Sequence, residues 1–539
     1  MSIAQKPINN YDAIVVGAGF AGMYMLHKLR GLGLSVKVYE TGSGVGGTWF
    51  WNRYPGARCD IDSLEYSYQF SDELQQEWHW PERYSAQPDI LEYANHVAER
   101  FDLRKDIQFN TQVESSVYDE DSKSWNITTS DGKTQSAQFC IMATGCLSST
   151  NTPDFKGIES FKGQTYHTGQ WPHEPVDFSG KRVGIIGTGS SAIQAIPEIA
   201  KQAEHLYVFQ RTPNYTVPSN NGPMDKETEQ TIKADYPAFR ERNSKMPAGL
   251  GADSGRKTNM GVSALDVSHE EREAEYESRW DTAGLSIGGS FGDLMLNQES
   301  NDTIAEFARG KIRGIVNDPA TAEALCPEQT FACKRLCVDT GYYQTFNRPN
   351  VTLVDISQGA IDEITPAGLQ ANGDAFELDC IIFATGFDAM TGSLLKAGIR
   401  GEGGQTLTDK WSAGPRTYLG LGTSGFPNLF TITGPGSPSV LTNMIPSIEQ
   451  HVNWIADCIQ YLKESNLQTI NATDEAEDAW VEHVNVLASH TLYPSCNSWY
   501  LGANVPGKPR VFMPHIGFPS YVEKCNEVAA NGYQGFALA

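Results

Sequence analysis

Residues 12–22 of the chain read Asp-Ala-Ile-Val-Val-Gly-Ala-Gly-Phe-Ala-Gly, an apolar run that enters a glycine-rich turn. The apolar run predicts a buried parallel strand. A helix is expected behind the turn over residues 21–32, and a second strand over residues 35–40. The three predicted elements together form a βαβ unit, which indicates an α/β fold with a parallel sheet.

The turn of this unit carries a dinucleotide-binding fingerprint, made of Gly17, Gly19 and Gly22. Glycines at this spacing permit the tight turn and let backbone N–H groups at the helix N-terminus approach a pyrophosphate. Glu40 ends the second strand, where a carboxylate can accept hydrogen bonds from an adenosine ribose. The strand–turn–helix context makes the fingerprint specific, and it predicts one bound dinucleotide.

The unit is repeated further along the chain. A second apolar strand over residues 181–187 runs into a turn whose residues are predicted to bind a second dinucleotide: Gly187, Thr188, Gly189 and Ser190. The strand that follows ends in Arg211 and Thr212, at the place where an NAD-binding protein carries a carboxylate. A guanidinium suits a 2′-phosphate, so the second nucleotide is expected to be NADPH.

Composition limits the classes of partner. The chain has 539 residues, enough for two or three domains, and a formal net charge of −24, which argues against a nucleic-acid partner. Its apolar runs are too short to predict a membrane helix, and residues 1–10 do not resemble a signal peptide. The expectation is a cytoplasmic protein that is a monomer or a weak homo-oligomer.

The ten cysteines follow no paired pattern, since they lack CxxC or zinc-ligand spacing. They are therefore expected to be free thiols, and no metal site is predicted.

The repeated units suggest a chain that passes twice between two dinucleotide-binding domains. Similar Ala-Thr-Gly turns at 143–145 and 384–386 are expected where it crosses. A polar segment with an apolar stripe at helical spacing is expected to be a helical insertion, flexible around 248–261. The predicted division is 1–150 (first dinucleotide-binding domain, first part), 151–222 (NADP-binding domain, first part), 223–330 (helical insertion), 331–386 (NADP-binding domain, second part) and 387–539 (first dinucleotide-binding domain, second part, with substrate-side and C-terminal loops).

Residues 46–60 form a second dense motif, Gly-Gly-Thr-Trp-Phe-Trp-Asn-Arg-Tyr-Pro-Gly-Ala-Arg-Cys-Asp. Aromatic side chains beside glycine backbone suit a flat isoalloxazine ring, and Gly47, Thr48 and Trp49 are the predicted contacts. A packed aromatic loop without a ligand is the alternative. Disulfide reductases with two nucleotide sites carry a cysteine pair in this region, whereas Cys59 stands alone, so a dithiol relay is not expected.

The chain resembles the type I Baeyer–Villiger monooxygenases. Residues 46–60 match their GGxWxxxxYPGxxxD fingerprint, and residues 161–172 match the FxGxxxHxxxWP fingerprint through His167 and Trp171. The loop 434–444 is similar to that of phenylacetone and steroid monooxygenases, and the family also includes cyclohexanone monooxygenases. The resemblance implies two Rossmann-like domains that bind FAD and NADP, with a helical insertion.

The resemblance also implies an activity. FAD reduced by NADPH would react with O2 to form a C4a-peroxyflavin, which inserts one oxygen atom next to a ketone carbonyl and yields an ester or lactone. The alternative is a flavin monooxygenase that oxygenates amines or thioethers, and a third possibility is a flavin-bearing redox sensor without catalysis. The simultaneous presence of Arg335 and Asp60 argues against the third.

The family's motifs assign roles to further residues. Arg335, in a Lys-Arg pair before Gly-Tyr-Tyr, would be the catalytic cation, and Asp60 its carboxylate partner. Lys334 would share the 2′-phosphate with Arg211. His167 would have a conformational role supported by Trp171, and Trp499 would lie near NADP.

The substrate side is expected on the loop 434–444. By resemblance, the ketone pocket would be lined by Ser439, Val440, Leu441 and Met444. This loop favours aryl-aliphatic, medium-sized cyclic or bulky ketones as substrates.

Overall fold

The computed structural model describes residues 10–252, 259–282 and 284–539. Residues 1–9, on which the expectation of no signal peptide rests, lie outside the described residues. So do residues 253–258, the centre of the segment that was expected to be flexible.

The first βαβ unit belongs to an eight-stranded sheet. Its first strand, Asn10–Val16, pairs in parallel with Val36–Tyr39 on one side and with Thr134–Met142 on the other. The strand predicted over residues 12–17 and the helix predicted over 21–32 are confirmed, within two residues, as Asn10–Val16 and Phe20–Gly31. The remaining strands of the sheet are Ile107–Gln108, Val113–Asp119, Ser124–Thr129, Ile399–Arg400 and Leu429–Thr431.

The second unit belongs to a five-stranded parallel sheet. In spatial order its strands are Val351–Asp355, His205–Gln210, Arg182–Ile186, Cys380–Phe383 and Gln164–His167. The chain returns to the first sheet with Ile399–Arg400, after its last strand in this sheet. The expected pair of Rossmann-like dinucleotide-binding domains is therefore present.

Three small sheets complete the strands of the described residues: Thr216–Pro218 with Cys337–Asp339, Ile361–Thr365 with Gly368–Ala371 and Asp374–Glu377, and Ile470–Ala472 with Phe536–Leu538. The α-helices are Phe20–Gly31, Thr48–Trp51, Asp72–Glu77, Gln87–Arg100, Ser190–Ala200, Lys226–Ala234, Tyr236–Ser244, His269–Thr282, Gln298–Ile315, Pro319–Leu325, Tyr342–Thr345, Gly392–Lys396, Leu407–Lys410, Met444–Glu464, Asp474–Ser489 and Phe518–Ala530. Among the helices of the described residues, none is long and apolar enough to cross a membrane.

The two Ala-Thr-Gly turns occupy equivalent positions in the two sheets. Gly17 has a φ of +104°, and a Cβ atom there would lie 2.6 Å from the Ala143 carbonyl oxygen. Gly187 has a φ of +114°, and its Cβ would lie 2.5 Å from the Ala384 oxygen. Only glycine fits this left-handed, closely packed position. Each turn thus fixes the glycine loop beside it.

The helical insertion packs on both parts of the molecule. Its helix Gln298–Ile315 buries most of the predicted apolar stripe. Ser268 and Glu271 form a capping box at the start of His269–Thr282. In contrast, Tyr236 and Phe239 lie in the core of the first sheet. Other residues of the insertion, among them Ile312 and Leu325, lie in the core of the second sheet, so the insertion contacts both parts of the molecule.

Candidate flavin and nicotinamide nucleotide site

A large cavity of about 590 Å³ runs past the carboxyl ends of the parallel strands of the first sheet. This is where open α/β sheets bind their ligands, and the volume falls within the range of small-molecule sites. Residues of the first βαβ unit and of the segment that follows it line the cavity: Gly17, Gly19, Glu40, Gly47, Thr48, Trp49 and Tyr66. Residues further along the chain line it as well: Ser190, Ser191, Gln194, Arg335, Val440, Met444 and Trp499.

The first glycine loop fits a pyrophosphate. The helix Phe20–Gly31 begins at Gly19 without a side-chain cap and without an acidic residue in its first turn. Its first N–H groups are therefore available to an anion, which the helix dipole also favours. The Cβ that Gly19 lacks would point into space where the nearest atom is the Gly47 Cα at 3.4 Å, whereas a Cβ on Gly22 would overlap the Gly17 oxygen.

Glu40 lies at the edge of the same cavity with 6% exposure. Its two carboxylate oxygens accept the N–H groups of Ala18 at 2.8 Å and Gly42 at 2.7 Å. Burial raises the pKa of Glu40, and the two N–H donors oppose this rise. The carboxylate thus connects the glycine loop to the following segment at the edge of the cavity.

The aromatic motif forms the neighbouring wall of the cavity. Gly47 precedes the short helix Thr48–Trp51, and Gly47, Thr48 and Trp49 all line the cavity. The indole Nε1 of Trp49 donates to the Tyr66 hydroxyl at 3.1 Å, and the side-chain amide of Gln87 donates to the Trp49 carbonyl. The wall is therefore held rigidly, as a contact surface for a flat ring system requires.

The second glycine loop repeats the arrangement of the first. The helix Ser190–Ala200 begins at Gly189 without a side-chain cap or an early acidic residue, and the space beside Gly189 is open. Thr188 donates from Oγ1 to the Thr212 carbonyl at 2.8 Å and so joins the glycine loop to the end of the next strand. Exposed Gly189 and Ser190 leave room for a second pyrophosphate.

Two cations lie together beside this second loop. Burial lowers the pKa of Lys334, and the charge of nearby Arg211 lowers it further. Neither cation has an ion-pair partner among the residues that the structure describes. Two close positive charges repel each other, and an anion between them would relieve the repulsion. Together with exposed Thr212, the pair fits a 2′-phosphate.

Arg335 is held from two sides at the edge of the cavity. Its Nε and one terminal nitrogen donate to the two Asp60 carboxylate oxygens, each at 2.9 Å. Its other terminal nitrogen donates to the Val440 carbonyl at 2.6 Å. Burial disfavours the charged form, but Asp60 more than offsets this and raises the pKa of Arg335. The guanidinium is therefore a permanent, oriented positive charge.

One expectation about the cysteines is wrong. Cys333, directly before Lys334, forms a disulfide with Cys496, while eight cysteines of the chain are free and buried as expected. The two residues are 163 positions apart, so spacing could not reveal the pair. The disulfide connects the arginine-bearing segment to the loop that carries Trp499, which lines the cavity.

His167 lies where the chain crosses between the two sheets. Its Nδ1 accepts the N–H of Gly169 at 3.0 Å, which leaves the proton on Nε2, 3.4 Å from the Asn151 carbonyl. Asn151 also accepts the Thr385 hydroxyl and donates its N–H to Gly386. Burial lowers the pKa of His167, so the neutral ring joins the two crossing segments. Trp171, 5% exposed, packs in the second core near Tyr166 and Phe178.

The four residues predicted to line the ketone pocket separate into two pairs. Val440 and Met444 line the cavity. Ser439 is fully buried and directs its hydroxyl to the Met390 sulfur at 3.5 Å, and Leu441 packs against the first core. Neither of these two is among the described residues that line the cavity. Ile448, one helical turn after Met444, lines it as well and was not predicted.

Gln194 is a further residue of the site that sequence reasoning missed. It is 9% exposed, lines the cavity and contacts the aromatic motif. One signal could have identified it, because it is the only amide in the otherwise apolar stretch Ala192–Pro197 of a helix that follows a dinucleotide fingerprint.

Fold and site together define a flavoprotein that holds two dinucleotides beside a half-buried arginine–aspartate pair. A family profile described as FMO-like, flavin-binding monooxygenase-like, matches residues 11–222. A Baeyer–Villiger monooxygenase of Pseudooceanicola batsensis is 44% identical over 97% of this chain and 95% of its own length. A phenazine N-monooxygenase of Lysobacter antibioticus is 41% identical over 98% of this chain and 97% of its own.

Solved structures agree with these relatives. A steroid monooxygenase bound to NADP superposes with a TM-score of 0.93 at 50% identity and covers 98% of this chain and 99% of its own. The OTEMO complex with FAD and NADP superposes with a TM-score of 0.94 at 41% identity over 99% and 100% of the two chains. The chain belongs to the FMO-like flavin-binding monooxygenases, in the group of the Baeyer–Villiger enzymes.

Proposed function

We propose that this protein is an FAD- and NADPH-dependent Baeyer–Villiger monooxygenase that converts a ketone and O2 into an ester or lactone. When bound, FAD supplies redox chemistry and oxygen activation, and NADPH supplies the hydride. The observation that carries the proposal is the Arg335 guanidinium, held by Asp60 and by the Val440 carbonyl beside the same cavity that the first glycine loop and Ser190, the first residue after the second loop's glycines, also line.

The proposed role of Arg335 is to stabilise the negative charge that develops on oxygen during transfer to the carbonyl. A guanidinium has five N–H donors, and three are used by Asp60 and Val440. One N–H on each terminal nitrogen has no partner among the described residues and can serve a reacting oxygen. Because these donors are oriented before the reaction, they need not reorganise when the charge appears.

The proposed nucleotide contacts follow the two glycine loops. FAD would be held by Gly17, Gly19, Gly22, Glu40, Gly47, Thr48 and Trp49, and NADP by Gly187, Thr188, Gly189, Ser190, Arg211, Thr212, Lys334 and Trp499. The proposed domains are 1–150 with 387–539 for FAD and 151–222 with 331–386 for NADP, joined by the insertion 223–330. His167, with Trp171 packed nearby, would transmit movement across the crossing segments. A cytoplasmic monomer or weak homo-oligomer is proposed.

For the substrate, we propose a bulky or aryl-aliphatic ketone. The proposal is supported by the loop 434–444 and by 50% identity to a steroid monooxygenase. Val440 and Met444 would contact the substrate, with Ser439 and Leu441 supporting the loop from behind.

The experiment is a product analysis with purified, FAD-loaded protein, NADPH, phenylacetone and ¹⁸O2. We expect benzyl acetate with one labelled oxygen atom, formed in proportion to NADPH oxidised, and ester formation lower by about 100-fold or more in the Arg335→Ala variant. NADPH oxidation that yields only hydrogen peroxide with phenylacetone, cyclohexanone and a steroid methyl ketone would contradict the ketone proposal.

A second candidate, oxygenation of an aromatic nitrogen or a thioether, is favoured by one observation. A relative that is 41% identical to this chain over 98% of its length is a phenazine N-monooxygenase. The same assay with phenazine and with a methyl aryl sulfide separates the two candidates. An N-oxide or sulfoxide formed without any ester from the three ketones would favour the second.

A further inference from the structure

Gln194 connects the two nucleotide-binding parts of the molecule through one buried side chain. It lies on the helix Ser190–Ala200, whose N-terminus follows the second glycine loop. Its carboxamide points away from this helix and contacts the aromatic motif 46–60 of the first nucleotide-binding part. Two residues of that motif, Tyr54 and Ala57, are themselves buried in the core of the second sheet. The contact therefore lies at the junction of the two parts.

The Gln194 carboxamide is used at both ends. Its Oε1 accepts the Tyr54 hydroxyl at 2.8 Å and the Arg58 N–H at 3.4 Å, and its Nε2 donates to the Arg58 carbonyl at 3.0 Å. The donors and acceptor around it fix which end is oxygen and which is nitrogen. The backbones also meet here, because a Cβ on Gly56 would lie 2.2 Å from the Gln194 carbonyl oxygen.

These bonds fix a backbone that leads directly to the arginine's partner. Arg58 is anchored on its other side as well, since its guanidinium donates to the Glu82 carboxylate and to the Tyr84 carbonyl, each at 2.9 Å. Asp60 follows two residues later and holds Arg335. A shift of the Arg58 peptide would therefore displace the Asp60 carboxylate and rotate the guanidinium that it orients.

We propose that Gln194 is a positioning residue that couples the helix of the second nucleotide to the Asp60–Arg335 pair. With Gln194 in place, the position of this helix sets the orientation of the guanidinium. The proposal rests on the proposed role of Arg335 in oxygen transfer. It makes a distinct claim, because Gln194 acts through the Arg58 backbone and needs no contact with the ketone.

The test compares Gln194→Ala with Gln202→Ala, which removes an exposed glutamine two residues beyond the same helix. The first readout is amide hydrogen exchange over residues 54–60 of the FAD-loaded protein without substrate. Each lost buried hydrogen bond is worth about 1 kcal/mol, so we expect exchange to accelerate about fivefold or more in Gln194→Ala only. This readout does not depend on which reaction the enzyme performs.

The second readout compares the ester formed per NADPH oxidised with the KM for NADPH. We expect the ester formed per NADPH to fall about tenfold in Gln194→Ala, which corresponds to about 1.4 kcal/mol, with hydrogen peroxide making up the difference. The KM for NADPH should change little, because Lys334 and Arg211 are untouched. Tyr54→Phe should lower the ester yield less, and adding it to Gln194→Ala should cause no further loss, since the two side chains share one bond.

Two results would overturn the proposal. One is unchanged exchange of residues 54–60 in Gln194→Ala. The other is a Tyr54→Phe effect that adds in full to that of Gln194→Ala. A wild-type protein that forms no ester would refute the proposed function instead, and the exchange measurement would still decide whether Gln194 fixes the Arg58 backbone.

Discussion

Opening the disulfide between Cys333 and Cys496 should destabilise the protein and loosen its nicotinamide nucleotide site. Cys333 precedes Lys334 directly, and Cys496 lies three residues before Trp499 at the cavity. The bond is the covalent connection between the arginine-bearing segment and the C-terminal loop. Without it, these two segments are held by non-covalent packing alone.

The size of the effect follows from the length of the closed loop. For cysteines 163 residues apart, the chain-entropy relation gives about 5 kcal/mol, and native disulfides typically contribute about 2–4 kcal/mol. We take about 3 kcal/mol as the contribution of this disulfide to the free energy of unfolding. The unfolding entropy of 539 residues is about 1.1 kcal/mol per kelvin, so Tm should fall by about 3 °C if the chain unfolds cooperatively. Unfolding of a smaller unit would give a larger shift.

The assay uses the FAD-loaded protein and begins with a thiol count under denaturing conditions. Eight thiols should react before reduction and all ten afterwards. Thermal unfolding is then followed by flavin fluorescence for wild type and for the double variant Cys333→Ala/Cys496→Ala. The Kd for NADP should rise in the double variant, because the segments that carry Lys334 and Trp499 are no longer linked covalently to each other.

Two controls isolate the bond from the loss of a buried side chain. The first is Cys326→Ala, since the exposure of Cys326 (7%) matches that of Cys496 (8%) and its thiol is free. The second is reductant, which should lower the Tm of wild type and leave the double variant unchanged. Ten reactive thiols before reduction, or equal Tm values for wild type and double variant, would refute the reasoning.

Three further predictions concern single side chains. Arg335→Ala should leave flavin reduction by NADPH largely intact but lower ester formation about 100-fold or more, as measured by stopped-flow reduction and product analysis; ester at the wild-type rate would contradict this. Arg211→Ala should lower kcat/KM for NADPH by an amount equivalent to about 1.5–3 kcal/mol and change kcat/KM for NADH little. An unchanged preference for NADPH over NADH would refute the 2′-phosphate site. Burial raises the pKa of Glu449 from 4.5 to about 7, so its proton stabilises the folded state at low pH and this stability is lost as pH rises from about 4.5 to 7. Glu449→Gln should reduce that loss by up to about 3 kcal/mol in denaturant titrations at pH 5 and 8, and an identical pH profile would be contrary evidence.

The elements that the sequence predicted correctly are those with local causes. Gly17 and Gly187 mark their turns because a positive φ and a neighbouring carbonyl exclude any side chain. The apolar runs before them predict buried strands, since a parallel sheet is covered on both faces. Arg335 and Asp60 were paired by motif alone, and the structure brings them to 2.9 Å although 275 positions separate them.

Three features that escaped prediction have no local signal in the sequence. The Val440 carbonyl binds Arg335 through the backbone, which any residue type could supply. The disulfide joins two distant cysteines without a motif. The packing of Tyr236 and Phe239 on the first core depends on the position of the whole insertion, because apolar periodicity shows which face is buried but not against what.

The distribution of these contacts along the chain has a mechanical consequence. Arg335 is oriented by Asp60 from the N-terminal motif and by Val440 from the C-terminal loop, while the segment before it is bonded to Cys496. A guanidinium pointed correctly therefore requires three remote segments to be in place at once. A change in the relative position of the two sheets would alter at least one of these contacts, because the segments belong to different parts of the fold. In this structure the oriented charge depends on contacts from both nucleotide-binding parts around the cavity, so a shift of one part against the other would be expected to lower oxygen transfer.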